Sequence, residues 1–70
     1  MTEVRAEMVA NVYKVIVAAG QPVEVGDVLL VLESMKMEIP VLAESAGRVV
    51  SLSVGEGAVV QEGDLLAVLD

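Results

Sequence analysis

The sequence predicts an all-β fold: two small antiparallel sheets, packed as a flattened barrel or sandwich and related by an internal pseudo-two-fold. Three observations predict it. The first is a duplication. Displaced by 37 residues, the 25 positions from Val9 to Glu33 give nine identities: Val12/Val49, Val17/Val54, Gly20/Gly57, Val23/Val60, Gly26/Gly63, Asp27/Asp64, Leu29/Leu66, Val31/Val68 and Leu32/Leu69. Roughly three matches are expected by chance in so valine-rich a chain. The glycines and the Gly-Asp pairs weigh most, because they fix turns. The second is periodicity. Val50, Leu52 and Val54 alternate with Ser51 and Ser53, a period of two, and no capped run of 3.6-residue period competes with it. The third is composition. The 70 residues are 56% hydrophobic, mostly Val, Leu and Ala, with Tyr13 the single aromatic. That supplies one small aliphatic core, and residues 1–70 read as a single domain at the size where packing has to be economical.

Taken in order, Met1 to Glu7 carry no basic segment followed by an apolar stretch, so no signal peptide is expected. No apolar run approaches the length of a membrane span, and the expected location is the cytoplasm. Each copy then reads as strand, loop, short strand, turn, strand. In the first, Tyr13, Val15 and Val17 stand on one face against Lys14, although Ile16 blurs the pattern. Gly20 takes backbone angles that other residues avoid, and Pro22 belongs to a loop. Gly26-Asp27 turns the chain into the apolar run Val28–Leu32, where alternation puts Leu29 and Val31 on the core face. A second apolar run, Ile39-Pro40-Val41-Leu42, contains a proline, which marks an edge strand or a bend. The second copy repeats the first through Gly57 and Gly63-Asp64 to Leu66 and Val68. Ser34 to Ser45 join the copies.

Composition excludes several chemistries. The chain has no cysteine and no histidine, so disulfides and Cys/His metal sites are ruled out, and the commonest catalytic base and nucleophile are missing. The net charge of −7 opposes nucleic acid, which selects basic surfaces, and opposes anionic membranes. Solubility is its plain reading.

The join holds the candidate site, Glu33-Ser34-Met35-Lys36-Met37-Glu38. An isolated lysine on a loop is ordinarily a solvated charge. Lys36 departs from that pattern. It lies at the midpoint of the duplication and has methionine on both sides, whereas Arg5, Lys14 and Arg48 have no such frame and read as surface charges. A lysine amine on its flexible stem is a natural acyl acceptor. Met35 and Met37 could fill core gaps, but methionines beside a solvent-facing turn more often mark a surface that another protein reads. Glu33 and Glu38 are open to two readings, recognition or solvation of the turn. The turn itself lacks Gly, Asn and Asp, so its chemistry alone would not place a hairpin there; the symmetry does.

Met35-Lys36-Met37 after Glu33, at the centre of a duplicated strand pattern, resembles the attachment motif of biotinyl carrier domains, such as biotin carboxyl carrier proteins and the carrier domain of pyruvate carboxylase. The likeness runs from about Val4 to Asp70 and is close to the small free-standing biotinylated proteins of that family. It implies the biotinyl/lipoyl hammerhead fold: eight short strands in two four-stranded sheets, the modified lysine at a hairpin tip, and the chain ends together at the opposite end. It further implies that Lys36 is acylated with biotin by a biotin protein ligase, with Met35 and Met37 as flanking recognition residues. The amine attacks biotinyl-adenylate in its neutral form, and since an ordinary lysine is protonated at neutral pH, the ligase supplies the base. A biotin carboxylase and a carboxyltransferase are the further partners, one loading a carboxyl group and the other unloading it. The reactive chemistry then belongs to the cofactor, and the domain, expected to be monomeric when isolated, contributes effective concentration at both sites.

Val17 to Asp27 match Val54 to Asp64 without a gap, so the inserted thumb loop of some relatives is absent, as is the Ala/Pro-rich linker that tethers many of them. Two rivals share the fold. A lipoyl carrier usually has an acidic residue before its lysine and a small one after it; methionine occupies both places here. An unmodified interaction module would keep only the architecture. An enzyme is the reading least supported, and the chain is taken as a carrier without an active site of its own.

Overall fold

The structure, a computed structural model, describes residues 1–70. The chain forms eight strands and no helix: β1 (Thr2–Arg5), β2 (Ala10–Val15), β3 (Pro22–Val23), β4 (Val28–Ser34), β5 (Met37–Leu42), β6 (Gly47–Leu52), β7 (Val59–Val60) and β8 (Leu65–Leu69). They make two four-stranded sheets of order β1-β8-β6-β3 and β5-β4-β2-β7, antiparallel at every pairing given.

The displacement of 37 residues found in the sequence is the symmetry of the fold. It carries β2 onto β6 and β3 onto β7 residue for residue, and β1 onto Ile39–Leu42 within β5. Under this operation β1-β8-β6-β3 becomes β5-β4-β2-β7, and the reverse. Each sheet therefore draws strands from both copies, so neither copy can close a core alone. The duplication also reaches further than the sequence comparison above: Ala6 and Ala43 are mates, and both are buried.

The glycine turns explain themselves. Gly26 and Gly63 have φ of 93° and 90°, and the amide of the following aspartate donates to the carbonyl three residues back: Asp27 N to Glu24 O and Asp64 N to Gln61 O, both 3.0 Å. That is the type II pattern, which needs a residue tolerant of positive φ at its third position. The aspartate Oδ2 then accepts from the first amide of the turn, Glu24 N at 2.9 Å and Gln61 N at 2.8 Å. The Gly-Asp pair is thus a closed unit, used twice.

The core is aliphatic. Leu29, Leu30, Leu32, Leu66 and Leu69 are at most 2% exposed, packed with Val12, Val49 and Val60. No side-chain polar atom is buried without a partner, so the interior carries no desolvation penalty from unpaired polar groups.

Strand alternation misleads at two symmetry-related places. Val28 pairs with Leu42 and Leu30 with Val41, which leaves Leu29 as an extra residue; Leu66 is extra in the same way between β8 and β1. These are β-bulges, and each resets which face the following residues occupy. Leu29, Leu30 and Leu32 consequently face the core, whereas Val31, expected there, lies half-buried on the outer face; Val68 does the same. A second bulge skips Tyr13 in β2 and Val50 in β6. Both side chains, expected inside, point to solvent at 45% and 42% exposure, and Val12 and Val49 take the core positions instead. Pro40 lies on β5, an edge strand, as a residue without an amide donor requires. Thr2 stands opposite Leu69, so the chain ends meet at the place the two-fold relates to the β4–β5 hairpin.

Candidate functional site

The β4–β5 register runs Leu32↔Ile39, Glu33↔Glu38, Ser34↔Met37, leaving Met35 and Lys36 as a two-residue loop. Their φ values are 52° and 64°. Two consecutive left-handed residues define a type I′ turn, whose twist matches that of the strands it joins. Asn-Gly is the usual occupant, since each L-residue with a bulky side chain pays roughly 1–2 kcal/mol for the left-handed region. Met-Lys holds this turn because the long β4–β5 ladder beneath it sets the register. The turn chemistry that would announce a hairpin is missing for that reason.

The side chains at the tip face outward. Met35 is 91% exposed and Met37 65%, which removes core filling as their role. Lys36 is exposed and makes no hydrogen bond or ion pair. The other three cations are all engaged. Arg5 donates to Gly63 O and to Glu3, each at 2.8 Å; Arg48 donates to Gly20 O at 2.5 Å; Lys14 Nζ lies 6.0 Å from the Tyr13 ring centroid. Lys36 alone has no such contact.

Directly below the tip, Glu33 and Glu38 oppose each other across the ladder. Like charges placed opposite are unfavourable, and no cation of the chain pairs with either. A shallow depression beside them is lined by Val9, Asn11, Ser34, Met35, Lys36 and Val59. Val9 and Val59 are 58% and 65% exposed. Sequence reading missed both: Val9 lies just outside β2, and in β7 an exposed valine is spelled like a buried one, so that only the pairing of Val59 with Asn11 shows its face.

The site fits acylation. A primary amine without competing partners stands at the apex of a fixed turn, open to an incoming enzyme, and the carboxyl group of biotin could be joined to it as an amide. No group of three His, Cys, Asp or Glu converges to hold a metal.

Comparison with known proteins identifies the family. The biotin/lipoyl family, described as biotin-requiring enzyme, matches residues 2–69. A biotinylated protein TB7.3 homolog of Mycobacterium leprae is 58% identical over 67 residues, 96% of this chain and 94% of that one. The alpha3 subunit of a biotin-dependent acyl-coenzyme A carboxylase from the same organism is 47% identical over 64 residues, 91% of this chain but 11% of the subunit. Among solved structures, the urea carboxylase of Kluyveromyces lactis superposes with a TM-score of 0.92 at 33% identity, over 99% of this chain and 6% of the enzyme. The chain therefore belongs to the biotin/lipoyl attachment family, as a small biotinyl-domain protein whose cofactor is covalently bound biotin.

Proposed function

We propose that Lys36 is the biotin-bearing residue and that the protein is a carrier, loaded by a biotin protein ligase and serving the biotin carboxylase and carboxyltransferase components of a biotin-dependent carboxylase. The observation that carries this is the isolation of Lys36: of four cations it alone lacks a partner, and it occupies the apex of the hairpin joining the two copies. The likeness to a domain within an acyl-coenzyme A carboxylase subunit and within urea carboxylase supports the carboxylase role.

When bound, biotin supplies a ureido group that accepts and releases a carboxyl group. The chain does the rest. The type I′ turn presents Lys36, exposed, at the end of the β4–β5 hairpin. To act as a nucleophile Nζ must lose a proton, and no side chain of this protein bonds to it, so the acceptor comes from the ligase. Met35 and Met37 offer polarizable apolar contacts on either side of the amine. The carrier role needs no catalytic residue in the domain itself. The reading puts the protein in the cytoplasm beside its ligase, as a monomer kept apart from its copies by its charge of −7.

The test is intact-mass analysis of the chain expressed with a biotin protein ligase, followed by peptide mapping. The expected result is a single biotinyl group on Lys36, lost in Lys36→Arg and retained in Lys14→Arg. A biotinyl group elsewhere, a lipoyl group, or no modification would overturn the assignment.

A further inference from the structure

The chain has no cysteine, so its four methionines hold all of its sulfur. Where thiols are absent, thioethers are the side chains that a mild two-electron oxidant attacks, and attack follows exposure. The fold sorts the four methionines. Met8 is half-buried and packs against the core. Met1 is 88% exposed but lies where the chain ends meet, next to the paired Thr2 and Leu69. Met35 and Met37, 91% and 65% exposed, stand on either side of Lys36. Two of the three exposed sulfurs therefore flank the one lysine without a partner.

Oxidation has different consequences at the two kinds of position. Oxygen added to Met8 would put a polar group against aliphatic side chains, at a cost in stability. Oxygen added to Met35 or Met37 enters solvent. The core uses neither side chain, and the β4–β5 ladder holds the type I′ turn without their sulfurs. The fold survives, and the change stays at the tip. There it has two parts. A flexible apolar side chain becomes polar and chiral. Its new oxygen is also a hydrogen-bond acceptor beside an ammonium that has no partner in the chain, and an amine engaged in a charge-assisted bond is a poorer nucleophile.

We propose that Met35 and Met37 form a reversible oxidation site at which peroxide lowers the acylation of Lys36. The proposal rests on Lys36 as the attachment residue. In the oxidation step, a sulfur lone pair attacks one peroxide oxygen. An S–O bond forms, the O–O bond breaks, and the proton left on the transferred oxygen joins the departing hydroxide as water. The sulfur loses two electrons and becomes the sulfoxide; the peroxide gains them. The chain has no thiol to reverse this, so the electrons for the return come from a thiol-dependent sulfoxide reductase.

The test is hydrogen peroxide titration of the full, unbiotinylated chain. Intact mass and peptide mapping follow, then steady-state biotinylation by untreated ligase with biotin and ATP once the peroxide is removed. Each protein's own untreated rate is its reference. Met35 and Met37 are expected to gain oxygen before Met8 does. At the dose that leaves Met8 unmodified, kcat/KM should fall about tenfold, the scale on which the loss of one well-placed contact is felt, with the urea midpoint unchanged. Reductases for both sulfoxide epimers should restore it. Met35→Leu/Met37→Leu, which keeps apolar side chains at the tip and retains Met1 and Met8, should hold its own untreated rate after peroxide. Four results would each overturn the oxidation site and leave the attachment site standing: oxidation of Met8 in step with Met35, an undiminished rate in oxidised protein, an equal loss in the double variant, or a loss that the reductases do not reverse. An untreated chain that gains no biotin on Lys36 would instead overturn the attachment site, and the oxidation site with it.

Discussion

Replacing Met35 by asparagine should make the protein more stable and a poorer ligase substrate at once. Met35 has φ of 52° and begins a type I′ turn. An L-residue with an ordinary side chain costs roughly 1–2 kcal/mol in that region, whereas asparagine visits it readily. The methionine side chain is 91% exposed, so its removal forfeits almost no burial to set against the relief. The net expectation is a gain of about 1 kcal/mol. For a domain of this size that corresponds to an increase in Tm of about 4–8 °C. Met35→Asn/Lys36→Gly, with the preferred turn pair, should gain more and serves as the positive control for the turn, since it cannot be labelled at Lys36. The assay is thermal unfolding followed by far-UV circular dichroism on unbiotinylated protein, with ligase kinetics on Met35→Asn. An unchanged or lower Tm for both variants would refute the left-handed turn. A raised Tm with undiminished labelling would keep the turn and remove the thioether from recognition.

Leu29→Ala and Leu66→Ala should each destabilise by about 2–5 kcal/mol, because both side chains are fully buried at the bulges; urea melts check this, and wild-type midpoints would mean the core face is misassigned. Gly26→Ala and Gly63→Ala should each cost roughly 1–2 kcal/mol and cost the same, since a methyl group at either meets nothing within 4 Å and only the positive φ is penalised; unequal losses would show that the two turns are not equivalent. Glu38→Lys, which turns a like-charge pair into an opposite one, should stabilise by up to about 1 kcal/mol; a urea midpoint at or below that of the wild type would contradict the pairing of Glu33 with Glu38.

The two-sheet architecture, the turn glycines and the burial of Leu29 and Leu66 were legible because each rests on a local rule. A Gly-Asp pair repeated at a fixed interval fixes the turns, and aliphatic runs bounded by such turns read as strands. The facing of Tyr13, Val50, Val31 and Val68 was not legible. Alternation assumes an unbroken ladder, and the bulges at Leu29, Leu66, Tyr13 and Val50 break it. None of these residues is a glycine or carries another mark of a bulge; the extra residue exists only in relation to the partner strand. Exposed Val59 was hidden in a similar way, since only its pairing with Asn11 shows which face it takes.

The duplication also explains why the candidate lysine stood out in the sequence and its conformation did not. Every strand and every glycine turn has a mate, so its residues answer to the fold twice over. The join between the copies has none. Where the two-fold would repeat Met35 and Lys36, the chain ends meet instead, with Thr2 opposite Leu69. A fold that closes without a hairpin at one end sets no requirement on the hairpin at the other beyond its register. Met35 and Lys36 are therefore held in left-handed geometry by β4 and β5, against their own preference, and turn propensity cannot report them. The tip they form presents an amine without a partner, between two side chains that the core does not use.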